Sequence, residues 1–285
     1  MGENGNHPGV KAVEVRKRTP GSKPILILAA LFVIATFLAW YFTWFGRELS
    51  DTDISKYLAD EKNPRHVQHA LLQIQQRIER GDAATKNWYP QLITLSNSAE
   101  PEFRLTVAWL MGFDNQASQF HEALLKLVKD QEPLVRRNAA LALVRFNDSG
   151  GRDELIAILK PYPVTAPVNG VIASTLKEGA TVARSTLLAR IEQADGTVVQ
   201  IRSPLPGRIH RILKTNATQV TQGEEVLSLN SDENSVWEAL RGLSFVGTVE
   251  DVPIVESYVN ASSGGRIHDQ ASATLKSIKA RIDPH

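Results

Sequence analysis

Between Trp88 and Asp148 the chain writes one pattern twice. Leu92, Leu95, Pro101, Arg104 and Ala108 return as Leu124, Leu127, Pro133, Arg136 and Ala140, thirty-two positions later each time. The apolar residues recur at helical spacing, and each proline stands where a second helix would begin. Proline suits a first helical turn because the N–H it lacks would have no partner there. Each unit therefore reads as a pair of helices with one apolar stripe apiece. A single pair has nothing to bury its stripes against, so neighbouring pairs must stack, and the period predicts a helical solenoid. Pro64, preceded by the good N-cap Asn63, marks a further second helix upstream.

The stretch DQEPLVRRNAALAL, Asp130 to Leu143, resembles a HEAT repeat. In that family a proline opens the second helix, a Val-Arg pair follows, and small alanines let helices approach closely. The resemblance implies an α-solenoid that binds protein partners. The earliest repeat, Asp53 to Arg80, departs from it. Its second helix is longer, and Val67 stands where the arginine would be, as suits a capping repeat. Toward the C terminus the pattern resumes. Val236–Leu243 reads as helical, Glu250–Tyr258 resembles a first HEAT helix, and Ile267–Leu275 resembles a second, with His268 in the arginine position.

Between these helical regions lies a second duplication of a different period. Val164–Ile191 and Ile201–Leu229 share Pro167/Pro204, Gly170/Gly207, Val182/Val220, Leu188/Val226 and Ile191/Leu229. Short β-rich segments punctuated by glycine, in two copies, predict a quasi-symmetric β-module. Its A-P-x-x-G-x-V and E-G-x-x-V elements resemble the biotinyl/lipoyl-attachment domain, a flattened β-barrel of two interlocked halves. In that family the hairpin between the halves displays the lysine that carries the cofactor. Here that link is Glu192–Val198 with an Asp195-Gly196 turn, and no lysine occurs between Lys177 and Lys214. The resemblance thus implies a module that binds rather than carries, with no cofactor expected. Membrane fusion proteins of bacterial export pumps also use this module, opening the same hairpin to insert a coiled coil. The closed Asp195-Gly196 turn leaves no place for one.

The expected fold is multidomain α and β: a tail at 1–23, a transmembrane helix at 24–45, HEAT-like repeats at 46–160, the barrel at 162–231 and HEAT-like helices at 233–285. Two arrangements stay open. In one, the predicted helices at 153–160 and 234–246 form one repeat split by the inserted module. In the other, three domains follow in a string. The span rests on residues 24–45, which carry no charge. At about 1.5 Å per residue they would cover roughly 33 Å, enough for a hydrocarbon core of about 30 Å. Lys11, Arg16, Lys17, Arg18 and Lys23 precede the run, and Arg47, Glu48, Asp51 and Asp53 follow it. The positive-inside rule then puts the N terminus in the cytoplasm and the bulk outside a bacterial inner membrane.

Chemistry is sparse. The 285 residues include no cysteine, which excludes disulfides, thiolate metal sites and a cysteine nucleophile. Nucleotide-binding and hydrolase motifs are missing, so no catalytic, cofactor or metal residue is assigned and the chain reads as non-enzymatic. His66 and His69 lie three apart on a helix, as a metal pair would, but solvent-facing histidines fit the same spacing. Arg202, Arg208, His210, Arg211 and Lys214 make the second half of the β-module basic, either as a docking face for acidic groups or as a solvated sheet face. A net charge of +1 gives no ground for nucleic-acid binding. Arg104 and Arg136 are expected to bond neighbouring repeats, and Trp88, Trp109 and Trp237 to lie in the core. The expected function is a membrane-anchored scaffold for protein partners, with a periplasmic adaptor of an export system as the alternative.

Overall fold

The computed structural model describes residues 22–44, 48–261 and 264–282, without the side chains of 22–23, 40–44, 174–175 and 282. The chain divides into two units, Met1–Leu49 and Ser50–His285. In the first, α1 (Ser22–Trp44) is helical and every described side chain of this helix is exposed. The expectation of a transmembrane helix is corrected here. No helix among the described residues is long and apolar enough to cross a membrane. The expected tail at 1–23 falls almost wholly outside the described residues.

The second unit opens with stacked helix pairs: α2 (Asp51–Leu58) and α3 (Pro64–Glu79), α4 (Tyr89–Leu95) and α5 (Pro101–Met111), and α6 (Ser118–Leu127) and α7 (Pro133–Arg145). Proline is the first residue of α3, α5 and α7, as the missing N–H dictates. The stripes meet in a core where Ile54, Leu71, Leu92, Phe103, Phe120 and Leu124 are all fully enclosed. Trp88 belongs to it at 2 % exposure, but Trp109 does not, and Trp237 is only half-buried. The guanidinium groups of Arg241 and Arg266 instead lie over the Trp237 ring, 5.3 and 4.5 Å from its centroid.

The repeated arginines stitch one pair to the next. Arg104 donates to both carboxylate oxygens of Asp130, at 2.7 and 2.9 Å, and to the carbonyls of Ser98 and Ala99. Arg136 repeats this with Glu154 at 3.0 Å and the carbonyls of Asp130 and Gln131. Burial pushes the Asp130 carboxyl up, but hydrogen bonds from Arg104 and the Glu132 amide outweigh it and hold the group below its ordinary value. A carboxyl depressed on folding stabilises the fold fully above its unfolded pKa of about 3.9. That contribution is lost as pH falls through the lower folded value. Asp130→Asn is expected to cost about 2 kcal/mol at pH 7, the scale of a hydrogen bond to a charged group. The difference from the parent should shrink below about pH 4, as followed by urea unfolding across that range.

After α8 (Arg152–Ile158) the chain leaves the solenoid and makes eight strands: β1 (Tyr162–Thr165), β2 (Gly170–Thr175), β3 (Thr181–Val182), β4 (Leu187–Glu192), β5 (Val198–Arg202), β6 (Gly207–Ile212), β7 (Gln219–Val220) and β8 (Glu225–Ser231). These form two antiparallel four-stranded sheets, ordered β1-β8-β6-β3 and β5-β4-β2-β7. The expected flattened barrel is thereby corrected. No ladder joins one sheet to the other among the described residues, so the sheets stay open and enclose a core between them. The duplication explains the order. Replacing each strand of the first half by its counterpart in the second turns one sheet into the other, so each sheet takes two strands from each half. Even the bulges repeat, between Ile172 and Ser174 in β2 and between Ile209 and Arg211 in β6. Gly170 and Gly207 recur because the facing strand leaves no room. A Cβ there would run into the backbone oxygens of Glu192 and Asn230 respectively. The β4–β5 link has Gly196 at φ +82° and the Gly196 amide bonded to the Gln193 carbonyl. Its outer bond joins the Gln193 amide to the Thr197 carbonyl, so Asp195-Gly196 sits in a three-residue loop, not a two-residue one.

The chain then returns to helices with α9 (Glu233–Val246), α10 (Val252–Asn260) and α11 (Arg266–Ile282). Leu155 and Ile158 of α8 share one apolar core with Val236, Leu240 and Leu243 of α9, across all eight intervening strands. Gly242 makes the approach possible, since a Cβ there would lie 2.9 Å from Leu155 Cδ1. Arg152, at the start of α8, donates to both oxygens of Asp251 at 2.8 Å and to Glu250 at 2.9 Å.

Candidate protein-binding groove

The second helices of the first three pairs, α3, α5 and α7, line a groove of about 310 Å³. Gln68, Leu72 and Gln75 are spaced by four and three residues, which puts them on one face of α3. Leu105, Thr106 and Trp109 come from α5, and Asn138 from α7. Leu72 is 44 % and Trp109 37 % exposed, large apolar groups left in water by an otherwise closed stripe. Trp109 is braced from behind by Phe113, edge to face at 4.6 Å, and Phe113 in turn lies under the Arg145 guanidinium at 4.9 Å. This fixes the indole while leaving its N–H without a partner among the described residues.

Polar groups in the groove are held too. Asn138 Nδ2 donates to the Leu105 carbonyl at 3.1 Å, and the Thr106 hydroxyl donates to the Glu102 carbonyl at 2.9 Å. No charged side chain lines the groove, so carboxamides and one hydroxyl supply its polarity. Such groups both donate and accept, which matches the needs of a peptide backbone. A second depression of similar volume lies between α4 and α6, but Glu122 and Lys126 help to line it and no large apolar group stands exposed there.

The basic residues read from the sequence do not form one face. Arg202 ends β5, in one sheet, while Arg208, His210 and Arg211 lie on β6, in the other. Arg202 donates to the Ser185 carbonyl and Gln200, and Lys214 is paired with Glu224. Arg208, His210 and Arg211 are exposed, the last reaching the same side as its neighbours through the bulge. His66 stacks on Tyr57 at 4.2 Å and bonds Asp60 at 2.8 Å, while His69 bonds Gln73 at 3.0 Å. The two rings flank Tyr57 but hydrogen-bond to different partners, and no group of three metal-ligating side chains occurs among the described residues.

Sequence reasoning missed the groove because it placed Trp109 in the core. A signal was present. Thr106 and Asn138 are equivalent positions of the repeat, and both are uncharged polar groups on the second helix of their pair.

Comparison with known proteins supports the helical reading. The profile of the HEAT repeats family matches residues 89–166, from α4 through α8 and β1. No curated protein matches the chain. Among solved structures, the chain is similar in part to a single-chain, multi-domain long-chain acyl-CoA carboxylase, at 18 % identity and a TM-score of 0.24. The match covers 35 % of this chain and 10 % of that one, and a likeness at that score carries no argument.

Proposed function

We propose that this HEAT-repeat chain is a non-catalytic scaffold that takes a segment of a protein partner into the groove between α3, α5 and α7. The observation that carries this reading is the pair Leu72 and Trp109, exposed on a surface whose remaining lining is uncharged and able to hydrogen-bond. Indole rings held rigid in shallow pockets are frequent anchors of protein interfaces, because they bury much area at little entropic cost. The export-adaptor alternative rests on the resemblance of the β-module alone.

The test is binding of co-purifying partners to the intact chain and to two variants. Trp109→Ala should weaken capture by a factor of about 30 or more, the effect of losing one anchor worth ~2 kcal/mol. Arg208→Glu with Arg211→Glu should leave it unchanged. Because no charge lines the groove, raising salt from about 0.05 to about 0.5 M should alter affinity by less than roughly threefold. Loss of capture in the arginine variant, with Trp109→Ala silent, would move the site to the β-module and sink the groove.

A further inference from the structure

The β-module is poorly sealed to the solenoid that carries it. Every member of its apolar core lies within its own strands and turns, from Val164 to Leu229. Among the described residues helices pack on helices and strands on strands, and no helix lies along a strand. Among the described residues, two polar side-chain contacts cross the seam. Arg184, in the turn between β3 and β4, pairs with Glu102 in the first turn of α5. Arg137 of α7 donates from Nη2 to the Ser231 hydroxyl at the end of β8, at 3.2 Å.

These contacts have opposite characters. The Arg184–Glu102 pair is exposed, at 30 % and 47 %, so it is weak and open to screening by salt. Arg137 is only 5 % exposed at its side chain, yet its Nε and Nη1 have no hydrogen-bond partner among the described residues. The nearest carboxylate, that of Glu154, is 3.8 Å away and already bonded to Arg136. Keeping a guanidinium dry and under-bonded is costly. Moving Ser231 aside would let water reach it. The outer contact holds the module in place weakly, and the inner one favours its release.

We propose that the β-module is a hinged arm, pivoting on its two chain connections beside Arg137 and held against α5 by the Arg184–Glu102 pair. The two connections lie close together, because β1 and β8 are neighbours with Tyr162 paired to Leu229. Glu102 lies one turn before Leu105 and Thr106, so the docked arm stands at an edge of the groove. If the groove takes a partner segment, as proposed above, docking and occupancy are coupled. That consequence rests on the groove reading, while the motion itself does not.

The chain lacks cysteine, so spin labels can be placed at will. With Gln76→Cys on α3 and Gln219→Cys on β7, both exposed, pulsed electron-spin distances report docking in the full chain without any partner. Two distance populations are expected. The longer should grow about threefold or more in 1 M salt and in Arg184→Glu, and fall back in the swapped pair Glu102→Arg/Arg184→Glu. Circular dichroism on each variant confirms that the fold is kept, and the salt series needs no variant at all. A single narrow distance, the same in high salt and in Arg184→Glu, would overturn the hinge and leave the groove reading untouched.

Discussion

Asp251→Ala should lower the unfolding free energy by about 3–5 kcal/mol, the range found when one member of a buried ion pair is removed. Asp251 is 3 % exposed, and three ties converge on it. Arg152 reaches it with two donors, and its second oxygen accepts the Thr248 amide at 2.8 Å. The hydrogen bond to Asp251, followed by that to Glu250, raises the Arg152 guanidinium above its ordinary value, against the effect of burial. Without the carboxylate, Arg152 keeps a largely buried charge whose remaining partner, Glu250, is 76 % exposed. Urea unfolding followed by circular dichroism gives the loss directly. Glu250→Ala is the matched control and should cost less than about 1 kcal/mol, as exposed pairs do. Equal losses in the two variants would mean that burial does not decide the strength of this junction. Replacing Arg152 and Asp251 together by Met and Leu should recover much of the stability, since apolar pairs of similar size often match a buried ion pair.

Removal of residues 162–231, with a short Gly/Ser linker in their place, should leave the helices folded. The linker has little distance to cover, as β1 and β8 run side by side. Loop-closure cost grows only slowly with length, so a few residues in place of seventy cost little. The core common to α8, α9 and α11 contains no residue of the strands. The excision also removes Ser231 from Arg137, which then meets water in place of one bond at 3.2 Å. The shortened chain should show a cooperative helical melt within roughly 5 °C of the parent's helical transition, a shift of about 1 kcal/mol. A molten product, when residues 46–160 alone melt cooperatively, would mean that α9–α11 need the β-module to fold.

What was legible in the sequence was local or periodic. The positions of Pro64, Pro101 and Pro133 predicted where helices begin, because a proline ring constrains its own residue whatever surrounds it. The thirty-two-residue period put Arg104 and Arg136 in equivalent places, and both donate to the two equivalent loop carbonyls before their helix and to a carboxylate further along the solenoid. The second duplication likewise fixed the strand content of the β-module. Where the sequence reading went astray, the deciding quantity was a relation between distant elements. Two halves with the right strands can close into a barrel or stay as two sheets, and only cross-sheet pairing separates these. Trp109 has the spacing of a core residue, yet whether a stripe position is covered depends on how far the next helix pair extends over it. The five basic residues are near in sequence, but β5 and β6 lie in different sheets, so proximity along the chain did not become a common face. The bond between Arg152 and Asp251, across ninety-nine positions, left no trace in any local pattern. Sequence by itself determined the elements and their repetition, since these follow from neighbours a few residues away. Tertiary structure alone decided what is covered, what is left open and which charges meet, since burial is a property of the assembled chain.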